Sequence, residues 1–161
     1  MQNRINEELC NGMFRFFIKA IIRCSPVVYI IMIWLQSSYF HPSRAAEQLE
    51  LPLISKVMIG SLFEFMHFFQ FGILFLLLLA ALYTYSPLTN RTISLMLVIS
   101  ILYAIVDEVH QYFVPFRSAS LFDLIKNWIG ILIVLFIIKR WTDKIRRIKI
   151  VSYMKGFRNS L

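Results

Sequence analysis

Four long apolar runs, broken by short polar stretches, organise this chain. They lie at about residues 18–38, 65–85, 92–114 and 122–138. A helix needs roughly 20 largely apolar residues to cross about 30 Å of hydrocarbon, so each run predicts one transmembrane helix. The first is uncharged from Cys24 through Phe40, and Lys19 and Arg23 at its start are expected to snorkel toward headgroups. Ser86-Pro87 ends the second with a turn. The third is apolar until Asp107. The fourth is short and carries Asp123, Lys126 and Asn127 in its first turns.

Composition points the same way. Of 161 residues, 58% are hydrophobic and 16% aromatic, more apolar surface than a soluble domain of this length can cover, so the surplus faces lipid. The expected fold is all-α, a polytopic four-helix transmembrane bundle. No Gly/Ser/Pro-rich linker and no internal repeat divides it. The chain reads as an N-terminal cytoplasmic or interfacial segment at 1–17, a transmembrane domain at 18–138 and a basic cytoplasmic tail at 139–161. Glu7 and Glu8, with no small-x-small site soon after the first run, argue for a retained helix over a cleaved signal peptide.

The net charge of +8 does not imply nucleic acid, because the basic residues gather at the chain ends beside apolar spans, where anionic lipid explains them. With four spans, thirteen of the 17 Lys and Arg fall on one side, and only Arg44, Lys56, Arg117 and Lys126 on the other. The positive-inside rule then puts both termini in the cytoplasm of a multi-pass cell-membrane protein. Trp141, Ile145 and Ile148 recur at helical spacing among basic residues, which predicts a tail helix lying on the inner leaflet. Ile5, Leu9, Met13 and Phe16 make a weaker pattern of the same kind. Cys10 and Cys24 match no metal or redox spacing, and no disulfide is implied.

The chemistry gathers between Leu102 and Ile133. Charges near mid-bilayer are expensive, roughly 2.5–3.5 kcal/mol each on insertion scales, so a cluster there needs partners or a task. Asp107 shares a helix face with His110 and Gln111, while Glu108 lies beside Gln111. Pro115 ends the helix and Arg117 follows as the nearest cation, able to fold back on Asp107, Glu108 or Asp123 through paired hydrogen bonds. Asn127 and Gly130 share a face of the fourth helix, and the glycine permits close approach of a neighbour. Glu64, His67 and Gln70, at i, i+3 and i+6 of the second helix, should reach the same depth.

Asp107-Glu108-Val109-His110-Gln111, then Val114-Pro115-Phe116-Arg117, then Asp123 through Asn127 to Gly130, resembles the pattern of the VanZ-like family. Ser37-Ser38, and His67-Phe68 followed by Gly72-Ile73-Leu74, are similar to that family's first- and second-helix motifs. The resemblance covers about residues 26–138. It departs at Gln70 and Phe71, where the family commonly has Glu and Tyr, at Phe116 and at Val134, both often Gly. It implies a bacterial envelope protein. The founding type of that family is associated with lowered susceptibility to teicoplanin and related lipoglycopeptides.

Three functions compete for the cluster of Glu64, His67, Asp107, Glu108, His110, Gln111, Arg117, Asp123 and Asn127. One is binding of a lipid headgroup, a cell-wall precursor or a glycopeptide. A second is a membrane enzyme acting on a lipid-linked substrate, with Glu108 or Asp107 and His110 as acid and base. No motif selects a nucleophile, and Ser118 and Ser120 are simply near. A third is a buried ion-pair network that fixes helix register. His67 and His110 could join carboxylates on zinc, but no close ligand spacing supports a metal, and no cofactor motif is present. The aromatic-rich run Phe63–Phe75 reads as lipid-facing packing, and Trp34, Tyr39 and Phe40 as an interfacial belt. Oligomeric state leaves no mark in the sequence.

Overall fold

A computed structural model of the chain describes residues 2–39, 52–115, 117 and 119–158, apart from the side chains of 2–10, 56, 59–60, 63–64 and 145–158. Arg44, Phe116 and Ser118, and the side chains of Glu64, Cys10, Ile145 and Ile148, therefore lie outside the described residues. Four helices account for nearly everything described: α1 (Gln2–Tyr39), α2 (Leu53–Tyr83), α3 (Asn90–Phe113) and α4 (Leu121–Arg158). Each contains a stretch long and apolar enough to cross a membrane: Asn11–Tyr39, Phe65–Tyr83, Asn90–Phe113 and Leu121–Lys144. Phe65, Leu102 and Phe136 are all more than half exposed, and in water such a surface would aggregate. The chain is a four-helix membrane protein.

The helices outrun the spans. At 1.5 Å per residue, the 38 residues of α4 reach about 57 Å, almost twice the hydrocarbon thickness. The basic tail continues α4 without a break in its helical backbone as far as Arg158. Helix α2 likewise begins twelve residues before Phe65. Each residue added to a helix already formed closes one more backbone hydrogen bond, while the unsatisfied groups at its end stay the same in number.

Pro26 lies inside α1 and cannot donate to the Ile22 carbonyl. The Ser25 hydroxyl donates to that carbonyl instead, at 2.9 Å. Arg23, expected to reach for headgroups, turns inward. Its Nε donates to Thr84 Oγ1 at 2.8 Å, its Nη2 donates to the Thr84 carbonyl at 3.3 Å, and its guanidinium lies 3.9 Å from the centre of the Tyr85 ring. The C-terminus of α2 presents uncovered carbonyls and a negative dipole end, which a cation satisfies. Helix α3 starts at a Thr89–Thr92 capping box, in which each threonine satisfies the other's backbone amide.

Helix α2 is the centre of the bundle. Phe71, Leu74, Phe75 and Leu79 make up half of the fully buried apolar residues described, joined by Ile33, Ile93, Ala104 and Ile131. It touches all three other helices, whereas α1 and α4 flank it and do not touch each other among the described residues. Its closest partner is α4. A Cβ on Gly130 would run into the Phe68 carbonyl oxygen, and one on Gly72 would sit 2.9 Å from the Gly130 carbonyl oxygen. Two glycines thus let parallel backbones touch, the usual way lipid-embedded helices gain packing without a hydrophobic driving force. The last turns of α1 and α3 and the first turns of α2 and α4 share one end of the bundle. The 84–89 turn, the start of α1 and the end of α4 lie at the other.

Candidate functional site

The buried polar side chains, apart from Ser100 in the middle of α3, gather at the first of these ends. Asp107 on α3 is fully buried. Ser37 of α1 donates to its Oδ1 at 2.8 Å and Gln111, one turn on, donates to its Oδ2 at 2.9 Å. Both oxygens are therefore engaged. The carboxylate ties α1 to α3 and orients Gln111, itself 3% exposed.

Glu108 faces the other neighbour. Its Oε2 accepts from the Ser120 backbone N–H at 3.1 Å, immediately before α4, so a carboxylate from α3 caps the positive end of another helix. Its Oε1 is buried and has no hydrogen-bond partner among the described residues. Asn127 is fully buried on α4, one turn before Gly130, and neither its Nδ2 nor its Oδ1 is partnered among the described residues. The buried Trp128 Nε1 is also without a partner. An unpaired amide removed from water costs roughly 1–3 kcal/mol on mutational scales and more in hydrocarbon.

His110 belongs to the α1 side. Its ring stacks on Trp34 with centroids 3.8 Å apart, and its Nε2 is 3.4 Å from Ser38 Oγ. The Ser38 hydroxyl already donates to the Trp34 carbonyl at 2.8 Å. Toward His110 it can therefore only accept, from an N–H on Nε2, and the buried Nδ1 has no partner among the described residues. Trp34, read from the sequence as belt, is thus the platform for this histidine.

The charged residues around the cluster come from the loop after α3 and the start of α4. Lys126 pairs with Asp123 at 2.9 Å, with both side chains about one-third exposed, an interaction worth about 0–1 kcal/mol. Arg117 is half-buried and within electrostatic reach of Asp107, Glu108 and Asp123. Burial pushes its guanidinium below the usual range, and the three carboxylates pull it back. His67 on α2 feels Asp107, Asp123, Arg117 and Lys126. Gln70, one turn further, is buried. The structure thus draws His67, Asp107, Glu108, Gln111, Arg117, Asp123 and Asn127 to one end of the bundle, with His110 on its α1 flank. No group of three or more His, Cys, Asp or Glu with metal-binding geometry occurs among the described residues.

Sequence reasoning kept Ser37 outside the polar set, yet it supplies half of the contacts to Asp107. The signal was a serine pair closing an otherwise apolar span. Tyr103 was missed too. Its hydroxyl donates to the Ile30 carbonyl at 3.0 Å, a second polar tie between α3 and α1.

Four lipid-length helices with a cluster of buried polar side chains at one end define a small polytopic membrane protein built around a buried polar site. Within that class the chain belongs to the VanZ/LLP1 family, whose model matches residues 13–142. No curated protein and no solved structure matches it.

Proposed function

We propose that the polar end faces the outer leaflet of a bacterial cell membrane, with both termini in the cytoplasm. There it binds a polar headgroup, drug or cell-wall precursor and lowers susceptibility to teicoplanin-like lipoglycopeptides. The carrying observation is the pair of buried, incompletely satisfied side chains on adjoining helices, Glu108 Oε1 and both amide atoms of Asn127. A network that served only to fix helix register would close on itself, as Asp107 does with Ser37 and Gln111. In this reading Arg117 meets an anionic group of the ligand, Glu108 and Asn127 meet its hydrogen-bonding groups, and Asp107 with Gln111 holds the wall.

The orientation draws on the clustering of basic residues at the opposite end of the bundle. The resistance phenotype draws on family membership. To test it, wild type, Arg117→Ala and Glu108→Gln are expressed in a susceptible Gram-positive host and compared at equal membrane abundance. The expected outcome is a raised inhibitory concentration of teicoplanin for wild type that both variants lose. Variants that protect as well as wild type refute the site, and a wild type that gives no protection refutes the phenotype.

A further inference from the structure

Resting on that binding reading, the geometry points to the ligand's chemical class: we propose that the site takes a zwitterionic headgroup, its primary ammonium entering between Glu108 and Asn127 and its phosphate facing Arg117. The unmet groups decide the ammonium half. Among the described residues, Glu108 Oε1 and Asn127 Oδ1 are buried acceptors that lack donors, and Asn127 Nδ2 is a buried donor that lacks an acceptor. A ligand that completes them must bring at least two N–H or O–H donors and one acceptor. A primary ammonium has three donors, and the phosphate two carbons away supplies the acceptor.

Charge supports the same choice. Among the described residues of the cluster, the acidic Asp107, Glu108 and Asp123 outnumber the basic Arg117 and Lys126 by three to two. A net anion would add to the excess, whereas a zwitterion sets its cation on Glu108, whose buried Oε1 has no partner among the described residues. Arg117, within electrostatic reach of that carboxylate, is placed for the phosphate. The resulting row of charges alternates in sign, which a low-dielectric site favours.

A quaternary ammonium carries the same charge and no N–H, so it separates hydrogen bonding from electrostatics. The full chain, purified in detergent, is titrated with short-chain phosphatidylethanolamine, phosphatidylcholine and phosphatidylglycerol. Soluble O-phosphoethanolamine separates a lipid source from a free one. Bound lipid is counted by native mass spectrometry and checked by the shift in thermal unfolding. The expected result is a roughly tenfold preference for ethanolamine over choline, about what one charge-assisted hydrogen bond supplies. Asn127→Leu and Glu108→Gln should each abolish the preference.

Because Asn127→Leu removes an unpaired amide, it should unfold no earlier than wild type without lipid, so loss of binding cannot be blamed on misfolding. Equal binding of ethanolamine and choline lipids, tighter binding of the glycerol lipid, or a preference that survives both substitutions overturns the proposal. If that happens while Arg117→Ala still abolishes drug protection, the ligand class is wrong and the binding function stands. If protection is also unaffected, both fall.

Discussion

At the scale of single residues, Asp107 and Asn127 occupy neighbouring helices and equal depths of burial but differ in satisfaction. Asp107 has a donor on each oxygen, while Asn127 has no partner among the described residues. Removing a donor from the first should therefore hurt, and removing the second should not. Ser37→Ala leaves Asp107 Oδ1 without its donor, with an expected loss of about 1–3 kcal/mol in reversible unfolding in mixed micelles. An unchanged unfolding midpoint would show that this bond contributes nothing. The sequence made Asp107 legible as a costly intramembrane charge, because a carboxylate in an apolar run stands out. It could not make Ser37 legible as its donor. The two are 70 residues apart, and serine is common in spans without any such duty.

Helix by helix, the decisive feature is the contact between α2 and α4. Gly130→Ala places a methyl against the Phe68 carbonyl oxygen, which is backbone and cannot swing aside. The helices must separate, at a cost of about 1–3 kcal/mol typical of overpacking, and Asn127 one turn away should move with them. Gly12→Ala is the internal control. Nothing lies within 4 Å of a Cβ there, so the same change should be neutral or stabilise α1 by about 0.5–1 kcal/mol. Circular dichroism during denaturant titration measures both, and equal effects would disprove the packing argument. The spacing of Asn127 and Gly130 announced a close helix neighbour. Which helix fills that place is beyond periodicity, which shows a face and not what packs on it. Likewise Arg23 looked like a snorkelling residue, because sequence cannot show that Thr84 and Tyr85 close the far end of another helix beside it.

For the whole molecule, an even number of spans puts the start of α1 and the end of α4 at one end and the polar site at the other. In a background with Cys10→Ser and Cys24→Ser, Ala119→Cys should react with a membrane-impermeant maleimide added to intact cells. Lys144→Cys should react only after permeabilisation, and the reverse pattern would invert the proposed orientation. The crossings, their number and the presence of a polar cluster followed from sequence alone, because lipid imposes a one-dimensional rule: about 20 apolar residues per crossing, and a charge within them is conspicuous. Tertiary structure alone decided which polar atoms close on one another. It joined Asp107 to α1, turned Glu108 to the cap of α4, stacked His110 on Trp34 and left Asn127 incomplete. The reason is geometric: hydrogen bonds are settled over about 3 Å, between helices whose facing depends on glycine contacts and long-range ties that no local pattern encodes.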